Sequence, residues 1–108
     1  MLILKNTNIE VILSKNQTKL MTCLINEINE KKDIINYIWN GKNRKSTENS
    51  YGQLVYKTKT LLVKNGFPQD LIMTISTYGL CLNKNYVRVG CSQHKCMVMI
   101  YNDPVYFL

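Results

Sequence analysis

The chain reads as an α+β fold in the order β-β-α-α-α-β-β over residues 1–82, followed by a β-prone extension over residues 83–108. Three observations carry that reading. Apolar residues recur at helical spacing in three consecutive segments between about residues 14 and 64. Short runs rich in β-branched residues flank them, at Leu2–Lys5 and Ile9–Leu13 before and at Leu71–Ile75 and Leu80–Leu82 after. Each boundary carries turn or capping chemistry: Asn6-Thr7-Asn8, Ser14, Asn40-Gly41, Asn65-Gly66 and Ser76-Thr77-Tyr78-Gly79. The extension is expected to pack on, or pair with, the same domain.

Ser14 is suited to cap a first helix whose stripe is Leu20, Met21, Leu24, Ile25 and Ile28, running to about Asn29. Cys23 falls beside that stripe as a small hydrophobe. Asp33–Trp39 forms a shorter second helix with Ile34, Ile35, Ile38 and Trp39 inward. The third helix is expected over Ser46–Lys64, with Ser46 as its cap and Glu48 in the first turn, where the macrodipole favours a carboxylate. Tyr51, Val55, Thr58 and Leu62, widened by Leu54 and Leu61, make its buried stripe. Its other side carries Asn49, Gln53, Tyr56, Lys57, Thr60 and Lys64. Asn65-Gly66, with Pro68 beyond, stops it. Leu71–Ile75 and Leu80–Leu82 then form a hairpin in which Gly79 takes the positive φ that a tight turn often demands.

A chain of 108 residues with 45% hydrophobic content has one modest core and is no disordered segment. The formal charge is +7, which points to a polyanionic partner. Its distribution is uneven. Between residues 40 and 64 six cations, Lys42, Arg44, Lys45, Lys57, Lys59 and Lys64, face one acid, Glu48, while the flanking segments each carry a net charge of only +1. No apolar run approaches the ~20 residues a bilayer requires, and Met1–Lys5 lacks the features of a signal peptide. Four cysteines impose no disulfide framework on a chain this apolar, so a cytoplasmic location is expected.

Three helices followed by a hairpin is the order of a winged helix. In that register the chain resembles the effector domain of OmpR/PhoB-type winged-helix regulators, the ToxR/CadC-like branch in particular. The resemblance rests on the Leu20–Ile28 helix after short strands and on Ile34-Ile35-x-x-Ile38-Trp39-x-Gly41. It continues through Val55-x-x-Thr58-Lys59-x-x-Leu62 and Leu71-Ile72-x-Thr74-Ile75-x-x-x-Gly79-x-x-Leu82. It covers residues 1–82. Where the family's wing usually reads arginine-glycine-tyrosine, this chain has Tyr78-Gly79-Leu80, so the wing arginine is missing, and Thr58 stands at an expected leucine.

The resemblance implies a bacterial or phage-borne transcription regulator, cytoplasmic and nucleoid-associated, that is no enzyme and binds double-stranded DNA through its third helix. Ser46, Asn49, Ser50, Gln53, Lys57 and Lys64 would then face base edges or phosphates. Gln53 and Asn49 have the paired donor and acceptor that read adenine. Lys42, Arg44 and Lys45 lie on the loop that flanks DNA and sometimes touches RNA polymerase. Thr74 and Thr77 would bond phosphates from the wing. The alternative is an adaptor that kept this frame, lost DNA and binds a partner regulator or polymerase through its tail and basic loop. Self-association through an edge strand of the tail stays open.

Cys91, His94 and Cys96, with Cys81, supply four zinc-ligand types, but their spacing matches no standard finger. A hairpin pairing Tyr86–Val89 with Met97–Ile100 would instead hold Cys91 and Cys96 near each other, where a redox-linked disulfide is possible. Ordinary reduced cysteines are the third and simplest reading, and no cofactor is assigned. The single histidine has no carboxylate nearby in sequence, and neither a Gly-rich phosphate loop nor paired carboxylates appear.

Overall fold

A computed structural model of the chain describes residues 3–6, 9–40, 44–84, 86–92 and 95–100, with side chains described over 11–40, 46–84 and at 86. Helix α1 (Lys15–Ile25) begins in a capping box. The Ser14 Oγ accepts from the Gln17 N–H at 3.3 Å while Gln17 Oε1 accepts from the Ser14 N–H at 2.9 Å. Leu20, Met21, Cys23 and Leu24 are its buried side. The helix stops short of the expected Asn29 because Glu27 turns left-handed, with φ of 60°. The Ile28 N–H then reaches back to the Cys23 carbonyl at 2.8 Å, and the Glu27 N–H to that of Leu24 at 3.3 Å. This is a Schellman closure with glutamate where glycine is usual.

Helix α2 (Lys31–Ile38) starts two residues before the expected Asp33, since the Ile34 N–H already finds the Glu30 carbonyl at 3.0 Å. Ile34 and Ile38 are buried, while Ile35 and Trp39 are half-buried. Helix α3 (Arg44–Lys64) also starts two residues early, so Ser46 is not its cap and no acid lies in its first turn. Its end is as expected. Gly66 has φ of 92°, its N–H donates to the Val63 carbonyl at 3.0 Å, and the Phe67 N–H donates to that of Leu62, also at 3.0 Å. Leu62 and Phe67 are both buried, the apolar contact that commonly accompanies this motif. Tyr51, Thr58 and Leu62 are buried, and Leu54, Val55 and Leu61 half-buried, in line with the expected stripe. Thr47, outside that stripe, is buried too.

Strands β3 (Ile72–Ile75) and β4 (Gly79–Leu82) form an antiparallel hairpin in which Ile72 pairs with Leu82 and Ile75 with Gly79. Leu71, Ile72, Leu80 and Leu82 close the core against the helices. The linker between α1 and α2 runs beside β4. The Leu80 N–H donates to the Asn29 carbonyl at 2.9 Å, the Lys31 N–H donates to that of Tyr78 at 2.8 Å, and Glu30 bridges Gly79. Gly79 has the positive φ expected of it, 159°, while the left-handed turn position with φ of 42° belongs to Ser76. A second constraint acts on the same glycine. A Cβ on Gly79 would stand 1.9 Å from the Asn29 carbonyl oxygen and 2.8 Å from the Lys31 nitrogen. Glycine is required by the approach of two backbones.

The remaining strands make a second sheet in the order β2-β1-β6-β5. β1 (Ile3–Asn6) and β2 (Ile9–Ile12) form an N-terminal hairpin, and β5 (Val87–Ser92) and β6 (Lys95–Ile100) a C-terminal one. Both later strands are longer than the expected Tyr86–Val89 and Met97–Ile100. β1 and β6 run parallel, with Leu4 opposite Val98 and Lys5 opposite Met99, so the extension pairs with the N-terminal hairpin. Val11 and Leu13 are buried while Ile12 between them is exposed, which is the alternation expected of a strand with one covered face. The end of the tail, residues 101–108, and the Gly41–Asn43 part of the basic loop, with Lys42, lie outside the described residues.

Replacing Gly79 with alanine is expected to destabilise the fold by about 3 kcal/mol, because backbone atoms on both sides leave the methyl no room. Urea denaturation of the purified variant checks this. A loss near zero would mean that the linker and β4 do not meet as described.

Candidate nucleic-acid interface

The outward side of α3 is a continuous polar arc. Asn49, Gln53, Tyr56, Lys57, Thr60 and Lys64 are all exposed, Tyr56 at 71%. These positions recur every three to four residues and so share one side of the rod. No carboxylate lies among them. Glu48, the helix's only acid, points instead into a groove against α2. Ser46 is exposed, and the Ser50 hydroxyl is spent within the helix, donating to the Ser46 carbonyl at 2.9 Å. On the opposite side the buried Thr58 hydroxyl donates to the Leu54 carbonyl at 2.7 Å, which explains how a polar residue fills an apolar position.

The β3–β4 hairpin lies alongside. Lys59 Nζ donates to Thr74 Oγ1 at 2.8 Å, joining the flank of α3 to the exposed face of β3. Thr74 and Thr77 are exposed, as the phosphate-binding assignment needs, but Thr74 already accepts this lysine. Met73, Ile75 and Tyr78 are exposed beside them. The sequence marks Lys59 as one of the six cations and as part of the third-helix motif but gives it no site role, since it falls between the buried stripe and the outer arc. Its cross-element contact has no signal in local spacing.

A groove of about 820 Å³ opens between α2, the early turns of α3 and the β3–β4 turn. Ile35, Trp39 and Tyr78 give it apolar walls, and Lys31, Lys32, Glu30 and Glu48 also line it. Two cations against two acids leave its lining close to neutral, in contrast to the α3 arc, where Lys57 and Lys64 are exposed with no carboxylate among the arc's positions. Lys31 Nζ also stands 5.4 Å from the centre of the Tyr51 ring, a cation–π contact. Burial pushes the Tyr51 phenol above its ordinary range. The helical pattern of α2 predicts Trp39 inward. It is half in the core, and its other half walls the groove.

The remaining candidates are dispersed. Arg44 and Lys45 occupy the first turn of α3, with side chains outside the described set. Cys81 lies half-exposed in β4, Cys91 and Cys96 are cross-strand partners in β5 and β6, and His94 lies outside the described residues. Cys23 is fully buried, and burial pushes its thiol up to about 11, which makes it an inert packing group at neutral pH. Among the described residues no three metal-ligating side chains gather, and no helix is long and apolar enough to cross a membrane.

Comparison with protein-family models, with curated proteins and with solved structures finds no match to this chain.

Among the described residues, none crowds the one glycine of α3. Gly52 sits in the middle of α3, and a Cβ there would meet nothing within 4 Å. Gly52→Ala is expected to raise stability by about 1 kcal/mol, the usual helical difference between the two residues. Thermal melting of the pair checks this. A destabilised variant would show that the position is occupied in the folded chain.

Proposed function

We propose that this chain is a sequence-specific, double-stranded DNA-binding transcription regulator with a winged-helix frame, in which α3 enters the major groove and β3–β4 is the wing. The observation that carries the reading is the exposed, carboxylate-free arc of Asn49, Gln53, Tyr56, Lys57, Thr60 and Lys64 on a helix of 21 residues. The order of elements supports it as well. The extended linker between α1 and α2 adds a strand-like edge to β4, and the hairpin is fastened beside α3 through Lys59 and Thr74. A major groove about 12 Å wide admits such a helix.

In this reading Gln53 and Asn49 present amides to base edges, with adenine as the natural match for their donor–acceptor pair. Lys57 and Lys64 neutralise phosphates along the strand, and Arg44, Lys45, Ser46 and Ser50 flank them at the N-terminal end. Thr77 and the remaining donor of Thr74 meet the backbone from the wing, where the absent arginine leaves that contact weak. Gly52 lets the duplex approach the helix backbone closely. The OmpR/PhoB-type resemblance belongs to the same proposal, as do the cytoplasmic, nucleoid-associated setting and the absence of catalysis.

A second reading has its own observation. The near-neutral groove walled by Trp39, Ile35 and Tyr78, with Met73 and Ile75 exposed on the hairpin, suits an adaptor that grips a protein partner such as polymerase or another regulator.

Fluorescence anisotropy against duplexes selected from a random pool separates the two. DNA binding is expected to fall steeply with salt. Lys57→Ala and Lys64→Ala should each weaken it by on the order of 1 kcal/mol and lower the salt slope by about one, while Gln53→Ala relaxes preference at one base pair. Binding that is absent or indifferent to these changes would defeat the DNA reading. Capture of RNA polymerase that depends on Trp39 and Tyr78 would favour the adaptor.

A further inference from the structure

The two cysteines of the C-terminal hairpin occupy directly opposed positions in the strand register. β5 and β6 pair antiparallel with Ser92 opposite Lys95, Cys91 opposite Cys96 and Gly90 opposite Met97. Directly opposed residues of an antiparallel pair have Cα atoms about 4.5–5.5 Å apart. That separation falls within the roughly 4.4–6.8 Å that a disulfide spans. The other two cysteines are placed differently: Cys23 is sealed in the core and Cys81 sits in β4 of the other sheet.

The geometry points to Cys91 and Cys96 as a redox-active dithiol that closes to a cross-strand disulfide by exchange with a low-molecular-weight disulfide. The thiolate of one cysteine attacks a sulfur of the small disulfide, forming a mixed disulfide and expelling one thiolate. The second cysteine, deprotonated, attacks the protein-side sulfur of that mixed disulfide and expels the other half of the small molecule. The two protons lost by the cysteines end on the two released thiolates. The protein dithiol is oxidised by two electrons and the small disulfide is reduced to two thiols. The bond staples the hairpin whose strand β6 is the parallel partner of β1, so the redox state of this pair acts where the two ends of the chain meet in one sheet. The inference stands apart from the DNA reading, because it rests on strand register alone.

Oxidised glutathione is the probe, used on the full chain at neutral pH. The expected product has lost the mass of two hydrogen atoms at this pair, and a non-reducing tryptic digest, which cuts after Lys95 between the two cysteines, yields two peptides joined through Cys91 and Cys96. Cys81→Ser keeps the link. Cys96→Ser leaves Cys91 carrying a glutathione adduct, and Cys91→Ser leaves Cys96 carrying one. In urea the ratio of link to adduct should fall by on the order of tenfold, as the effective concentration set by the hairpin is lost. Separate adducts on both cysteines, no reaction at either while Cys81 is labelled, a link to Cys81, or a ratio unchanged by urea would each overturn the assignment.

Discussion

Asn29 and Lys31 grip β4 from either side of Gly79, one accepting and one donating a backbone hydrogen bond, and the placement of the other elements follows from that clamp. The linker can run extended only because Glu27 has already ended α1 in a left-handed residue. α2 starts at Lys31, the residue whose N–H closes the clamp, so the helix leaves β4 at a fixed point. Leu80 and Leu82 are then held against α1 and α2, and β3 comes to lie beside the flank of α3, where Lys59 meets Thr74. A side chain at position 79 would separate the two backbones and release the hairpin. The surface formed by the outer arc of α3 and the exposed face of β3 thus depends on a contact distant from both in sequence.

Local spacing was enough to find the three helices and the strands, because each pairs a one-sided apolar pattern with a boundary residue. Ser14 and Gln17 cap α1, and Gly66 with Phe67 closes α3, through chemistry that acts over three to five residues. The errors arose where a distant partner decides. The stripe through Ile28 extended α1 to Asn29, yet Asn29 serves β4 and the helix ends earlier. The positive φ of Gly79 was legible, but the neighbour that also excludes a Cβ there lies some fifty positions upstream. Ser46 looked like a cap, while α3 begins at Arg44. The parallel pairing of β1 with β6 joins the two ends of the chain, and no spacing rule announces it.

The outer arc of α3 was readable because exposure there follows helical phase, and Asn49, Gln53, Lys57 and Lys64 are all exposed as expected. What local phase could not supply was the commitment of hydroxyls and amines to other protein groups. Ser50 bonds its own helix and Thr74 accepts Lys59, so both enter the proposed interface already partly satisfied. The groove beside α2 was hidden because Trp39 fits a core pattern and a wall pattern equally well. The balance of cations and acids along its lining sets it apart from the arc of α3, and that contrast underlies the choice between a polyanion and a protein partner.

Amide resonances of the labelled chain, followed as a duplex carrying its selected site is added, would give the most direct view of the proposed contact. Shifts concentrated in residues 46–64 along the outer arc, with a second set at 74–78, are the predicted outcome. Shifts confined to the groove lined by Trp39 and Tyr78, or to the β5–β6 hairpin, with the arc of α3 unmoved, would contradict it.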